Sequence, residues 1–338
     1  AAVAAARLGL KSSLVSNVGD DQNGKDCAVE LGKNGVATDL VRVHKGKPTN
    51  YHFVLWYGSD RTILTNHVDY DYRLPKLPTP KWVYLTSLSS HSNNYHEEIA
   101  NWLDAHPTVK LAFQPGTFQI KIGHERLKRL YARADVLIVN KEEAQNIADL
   151  MSPPLPPRHD EVSSFASASL RQSRDLSLAA TVEAADAIND VFSRQPSPAG
   201  ESSPPRGACD ETEELLSPRG RGDIKPLLQT LASLGPKLVI ITDNTNGAFM
   251  FDGDHCYKMP MYPDPRPAVE RTGCGDAFAS TFVSALAMGK PPLEALTWAP
   301  VNPMSVAQFV GSREGLLSRD QIEWWLDRAP DEYRAKEI

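Results

Sequence analysis

The sequence predicts an α/β fold, a mostly parallel central sheet flanked by helices, with a small β hairpin set apart from it. Three observations predict it. Short continuous apolar runs, Trp82-Val83-Tyr84-Leu85-Thr86, Val136-Leu137-Ile138-Val139 and Lys237-Leu238-Val239-Ile240-Ile241-Thr242, read as strands buried on both faces. Between them, apolar residues recur at helical spacing, as in Tyr95, Ile99, Trp102 and Leu103. Two β-rich runs, Phe53 to Tyr57 and Arg61 to Leu64, flank the turn signal Gly58-Ser59-Asp60.

Taken in order, Ala1 to Leu8 reads as a helix closed by Gly9. Ser13 to Val18 reads as a strand, and Gly19-Asp20-Asp21 with Gly24 as the loop after it. A helix runs on to Gly32 or Gly35, and the hairpin follows. From Lys81 strands and helices alternate, which is the pattern of a parallel sheet covered on both faces. Lys110 to Gln114 is a strand, and Leu127, Leu130, Tyr131 and Ala134 mark a helix before Val136. After Gly235-Pro236 and the strand to Thr242, Ala248 to Phe251 with Gly253 starts a second hairpin. Asp276 to Met288 forms an amphipathic helix stopped by Gly289, and Ile322, Trp325 and Leu326 mark a last one.

One stretch breaks the rhythm. From Ser152 to Gly222 the chain is rich in Ser, Pro and Arg and lacks the apolar density to offset ordering entropy. This divides the chain into residues 1–150, a disordered insertion at 151–222 with one possible helix from Leu176 to Phe192, and residues 223–338 as the remainder of the same domain.

Composition excludes several classes. The net charge of −6 is spread along the chain, which argues against a nucleic-acid or acidic-membrane partner. Cys27, Cys209, Cys256 and Cys274 show no CxxC or Cys/His spacing, so structural zinc is not expected, and their pattern suits a reducing cytosol. The histidines show no ligand spacing either. No apolar run is long enough to span a bilayer. No G-x-G-x-x-G follows a strand, which argues against a dinucleotide-dependent dehydrogenase.

The chemistry concentrates in Arg271-Thr272-Gly273-Cys274-Gly275-Asp276. Two glycines let the backbone approach a ligand, and the helix that begins there turns its free N–H groups and dipole on the loop. Such a loop binds phosphate, and Asp276 in the first turn can take the proton of an attacking hydroxyl. On this string alone, Asp276 as a plain helix cap is an equal reading. Asn140 and Glu143 lie at the end of a strand and one turn later, where ligands of parallel sheets gather. They can hold a hydrated Mg²⁺ or form a surface cap. Thr242 to Gly247 follows a buried strand and is either a nucleotide loop or a turn.

The string Arg271 to Phe278 resembles the D-T-x-G-A-G-D signature of the ribokinase-like (PfkB) carbohydrate kinases, with Glu270-Arg271 in place of its Asp-Thr and Cys274 in place of its Ala. Ala1 to Gly9 resembles the helix after that family's Gly-Gly segment. Val18-Gly19-Asp20-Asp21 with Gly24, then Gly35-Val36, resemble its V-G-x-D-x-x-G and G-V elements. Asn140-Lys141-Glu142-Glu143 resembles N-x-x-E, and Thr242 to Ala248 resembles T-x-G-x-x-G-A, with Asn244 in place of a glycine. The resemblance covers Ala1 to about Leu150 and about Asp223 to Leu326. It implies a ribokinase-like fold in which the hairpin, about residues 49–66, is a β lid that closes over sugar and contributes to a homodimer.

It implies further that ATP is the co-substrate, with Asp276 as general base activating a hydroxyl of a sugar or related polyol. Thr272, Gly273, Cys274 and Gly275 become the anion hole, and Thr242, Gly247 and Asn302 the nucleotide contacts. Asn302 could instead order the neighbouring loop. Asn140 and Glu143 hold Mg²⁺ through water, and Asn50 and Arg61 are candidate substrate contacts. Arg271 could aid phosphate binding or contact only solvent. The family's first strand, with its substrate-binding Asp, has no counterpart here, so weak sugar binding and aggregation are expected of the chain as written. The alternatives are a nucleoside kinase of the same fold and an inactive, truncated nucleotide-binding relative. The expected location is cytoplasmic.

Overall fold

The computed structural model describes residues 1–57, 60–89, 91–151 and 223–338. The expected insertion, beyond Met151, lies outside the described residues, and so does the hairpin turn Gly58-Ser59.

The N-terminal part opens with α1 (Ala2–Arg7), β1 (Ser12–Ser13), β2 (Ser16–Gly19), α2 (Gln22–Lys33), β3 (Val36–Ala37) and β4 (Val41–His44). The run read as one strand from Ser13 to Val18 is therefore two short ones. They have different partners: β1 pairs in parallel with β3, and β2 in parallel with β4. The hairpin is β5 (Tyr51–Tyr57) with β6 (Asp60–Asn66), antiparallel from Tyr51↔Asn66 to Tyr57↔Asp60, a two-stranded sheet of its own.

The core comes next. It contains β7 (Trp82–Leu85), α3 (Asn93–Ala105), β8 (Lys110–Phe113), α4 (Thr117–Ile122), α5 (His124–Arg133), β9 (Val136–Asn140) and α6 (Lys141–Met151). After the insertion follow α7 (Ile224–Ala232), β10 (Leu238–Thr242), β11 (Ala248–Phe251) and β12 (Cys256–Met259). Then come α8 (Cys274–Ala287), α9 (Pro292–Trp298), α10 (Val301–Val306), α11 (Arg319–Leu326) and β13 (Lys336–Glu337). Seven strands form one sheet in the order β13-β12-β11-β10-β9-β8-β7. The pairs among β7, β8, β9 and β10 are parallel, and the rest are antiparallel.

Strand alternation explains why the central runs are continuously apolar. Leu137, Val139, Val239 and Ile241 point to one face, packed with Leu103, Leu130, Ile147 and Leu228 of α3, α5, α6 and α7. Val136, Ile138 and Ile240 point to the other, against Phe278 and Phe282 of α8, Leu296 of α9 and Ile322 of α11. Both faces are covered, so neither register position can be polar. Burying a Leu, Ile or Phe is worth about 1.5–3 kcal/mol, and truncating Leu137, Ile240 or Phe282, all fully buried, removes that burial and leaves a cavity. A smaller cluster, Val3, Ala4, Val36, Ala277 and Val306, seats α1 on α8. Pro303 sits in the first turn of α10, where a backbone N–H has no intrahelical acceptor, so the ring is tolerated there. Among the described residues, no helix is long and apolar enough to cross a membrane.

Candidate active site

The parallel strands end together. Asn140 and Thr242 are the last residues of β9 and β10 and are register partners. Gln114 follows β8, its N–H donating to the Leu85 carbonyl at 2.8 Å. The polar residues of three neighbouring strands thus stand in a row at one edge of the sheet, as expected where strand ends carry a ligand site.

Asp276 comes to this row from the other side of the chain. It lies at the third position of α8, which starts at Cys274, two residues earlier than the sequence pattern predicts. The reason is Gly273, the N-cap, at φ 82°. A Cβ there would stand 2.5 Å from the Ser312 Cβ, so both conformation and space require glycine. Gly275 differs: a Cβ would meet nothing within 4 Å, and its open side leaves the backbone reachable. No side chain caps α8. Among the described residues, Thr272 Oγ1 and Asp264 Oδ1 are the buried side-chain polar atoms without a hydrogen-bond partner. Such an orphan at a helix N-terminus calls for an explanation, and a bound anion supplies one. Arg271 is not directed to solvent alone: Nη2 pairs with Asp264 Oδ2 at 2.8 Å.

Asn140 and Glu143 close a reciprocal cap. Glu143 N–H donates to Asn140 Oδ1 at 2.8 Å and Asn140 N–H to Glu143 Oε2 at 2.9 Å. The capping geometry that the sequence left open is therefore present. It occupies one Glu143 oxygen only. Burial raises the Glu143 carboxyl above its ordinary value, and the nearby negative charges of Asp276 and Glu142 add to this. A half-buried carboxylate in the field of a second one is a place where a cation is favourable. Hard oxygen donors that leave room for water suit Mg²⁺. Among the described residues no group of three acidic, His or Cys side chains is gathered as a metal site. Lys141 reaches across to Asp243 at 3.0 Å and ties this segment to the loop after β10.

That loop turns tightly. Asn244 stands at φ 44° and Gly247 at φ 90°. A Cβ on Gly247 would lie 2.2 Å from the Met259 carbonyl oxygen, so the glycine is required by a neighbouring strand. Asn302 is a correction to its reading as a nucleotide contact. It is fully buried, donates to Thr281 Oγ1 at 2.8 Å and accepts from Leu317 N–H at 2.8 Å. Both ends of the amide are committed inside the core, and its work is to order the segment at Leu317.

The hairpin is anchored by Asp21. Its carboxylate accepts from Thr49 N–H at 2.9 Å, Thr49 Oγ1 at 2.6 Å and Gly24 N–H at 3.0 Å. The Thr49 hydroxyl bond, then the two backbone bonds, hold that carboxyl below its usual range. The V-G-x-D-x-x-G segment thus joins α2 to the hairpin. Asn50, at the base of β5, accepts from Val68 N–H. Arg61 lies on β6, and its side chain falls outside the described residues. His67 meets His52 and Phe118 edge to face, with centroids 5.6 and 5.4 Å away, at the foot of the hairpin.

Sequence reading missed Gln114 and Tyr84. Gln114 Nε2 donates to Asp276 Oδ1 at 3.3 Å, and the Tyr84 hydroxyl donates to Gln114 Oε1. The available signal was the one used for Asn140: a polar residue closing an apolar strand, here before Pro115-Gly116.

A family model described as pfkB family carbohydrate kinase matches residues 1–167 and 208–314. A cytidine kinase of Thermococcus kodakarensis is 37% identical over 79 residues, 23% of this chain and 28% of the length of that relative. Among solved structures, a Burkholderia thailandensis nucleoside kinase in complex with inosine superposes with a TM-score of 0.64 at 16% identity, covering 98% of this chain and 86% of the other. Arabidopsis thaliana ribokinase complexed with ribose and ATP gives 0.62 at 17%, covering 96% and 85%.

Proposed function

The chain belongs to the pfkB family of carbohydrate kinases and has a ribokinase-like fold, and from that premise we propose that it transfers the γ-phosphate of ATP to a hydroxyl of a sugar or related polyol, with Asp276 as general base. One observation carries the reading. Asp276 stands in the first turn of an uncapped helix, behind a loop that needs Gly273 and leaves Thr272 Oγ1 orphaned, facing the sheet edge through Gln114.

In this reading the acceptor hydroxyl gives its proton to the Asp276 carboxylate as its oxygen bonds to the γ-phosphorus. The bond from phosphorus to the ADP oxygen breaks, and ADP carries away that electron pair. Thr272, Gly273, Cys274 and Gly275 form the anion hole. The N–H groups at the start of α8 and the Thr272 hydroxyl are fixed before the reaction, so charge developing on the phosphoryl oxygens meets them without reorganisation. Thr242 and Gly247 shape the nucleotide side. Asn140 and Glu143 hold Mg²⁺ through water. When bound, the ion offsets the phosphate charge. Asn50 and Arg61 belong to the acceptor side, and the hairpin is a lid that excludes water. Its exposed Phe53, Leu55 and Leu64 suit pairing with a second copy.

A nucleoside acceptor is the second reading. The edge-to-face ring cluster His52, His67 and Phe118 at the foot of the hairpin favours it, since an aromatic face left open can stack on a base. The identity of 37% with a cytidine kinase over 79 residues supports it too.

The test is ADP formation from MgATP with D-ribose, D-fructose and cytidine offered separately. Acceptor-dependent ADP with at least one is expected, and the one preferred separates the two readings. ADP formation that no acceptor raises, from protein that binds ATP, would sink the proposal.

A further inference from the structure

Asp276 is held both from its own helix and from a distant strand end. Ser280 Oγ fixes its backbone by donating to the Asp276 carbonyl at 2.6 Å. Its carboxylate receives the Gln114 amide, 162 residues away in sequence. The Gln114 backbone is itself fixed, because its N–H is bonded to Leu85 and Pro115 follows. The orientation of the amide is decided by Tyr84. The Tyr84 hydroxyl donates to the Gln114 oxygen. An amide whose oxygen is taken must present its N–H₂ to the other side, and Asp276 is there. Desolvation, and next the negative charge of Asp276, keep the Tyr84 phenol well above its ordinary value, so this donor does not ionise near neutral pH.

We propose that Gln114, oriented by Tyr84, is a positioning residue for the base: its amide occupies Oδ1 of Asp276 and leaves Oδ2 to take the proton of the acceptor hydroxyl. This rests on Asp276 being the base. Gln114 does not touch the reacting atoms. It restricts rotation of the carboxylate in a site where the charge of Glu143 also lies near that group. A carboxylate free to rotate would spend less time with an open oxygen at the hydroxyl, and the loss would appear in turnover rather than in binding.

Two measurements on the full chain test it. The first is the ¹⁵N–¹H spectrum of the Gln114 side-chain amide, identified as the pair of signals missing from Gln114→Glu. The pair should shift in both Tyr84→Phe and Asp276→Asn, and a pair unmoved in either variant would overturn the proposal. The second uses MgATP with whichever of D-ribose, D-fructose and cytidine the wild-type protein phosphorylates. Gln114→Leu should lower kcat about 10- to 100-fold, the range of one hydrogen bond to a charged group, with both KM values within about twofold and the melting temperature held. An unchanged kcat, or a loss confined to KM, would overturn it. Should the wild-type protein phosphorylate none of the three, the kinase reading fails on its own, and the amide spectrum still decides whether Gln114 holds Asp276.

Discussion

The two ends of the parallel sheet carry polar residues of similar type and use them in opposite ways. At the amino ends, Asp135 is buried and closed on its surroundings: it accepts from Leu111 N–H at 2.9 Å and Lys237 Nζ at 2.7 Å and faces Arg133 at 3.5 Å. At the carboxyl ends, Asp276 is exposed and meets a long bond from Gln114, while Glu143 keeps one oxygen outside its cap and Thr272 Oγ1 has no partner. A carboxylate whose partners are all in place stabilises the fold. One left in the field of another carboxylate, beside open N–H groups, is arranged for a ligand. Under the proposed function, position relative to the same sheet separates polar residues that hold the protein together from those that serve it.

That contrast can be broken or sharpened by substitution. The largest effect is expected at the carboxyl edge. Asp276→Asn should lower kcat with MgATP and the preferred acceptor by about 10² or more, as loss of a general base does, with ATP affinity by calorimetry little changed. Next in size, Asp135→Ala should lower unfolding stability by about 1–3 kcal/mol, since it strands the buried Leu111 N–H. Urea denaturation measures this, and turnover at 25 °C should stay near wild type. Gly273→Ala should cost about 1–3 kcal/mol in stability, the scale for a non-glycine residue held in a disfavoured backbone region. It should also weaken ATP binding, because Ser312 must yield.

The smallest effect is a pH dependence. His96 is buried, its Nε2 against Gln119 Nε2 at 3.1 Å, and burial lowers its pKa. A base with a depressed folded pKa favours the fold fully above its unfolded value of about 6.5. As pH falls below that, the unfolded chain takes up the proton first and stability declines until the folded pKa is reached. Urea midpoints at pH 7.5 and 5.5 should show the decline, and His96→Gln should reduce it.

Much of this was legible in local sequence. The strands around Val136 and Ile240 were readable because burial on both faces forces continuous apolar runs. The loop at Asp276 was readable because its two glycines and its acid act within a few residues. What failed depended on partners far away. Ser12 to Gly19 divides because β1 and β2 pair with different strands, and no local pattern encodes that. Asn302 looked available for a nucleotide because its partners, Thr281 and Leu317, are brought in by packing. Gln114 passed as a strand end until the fold set it against Asp276. The start of α8 at Cys274 rather than Asp276 follows from the left-handed Gly273, a conformation the glycine permits but does not announce.

The most direct test of the division between the two ends is urea denaturation of Asp276→Asn beside Asp135→Ala. Asp276 is exposed, accepts one long bond from Gln114 and stands in the field of Glu143, so its replacement should leave the urea midpoint close to where it is, while Asp135→Ala lowers it. A fall in the Asp276→Asn midpoint as large as that of Asp135→Ala would show that Asp276 is a structural cap, and would contradict its assignment as the base.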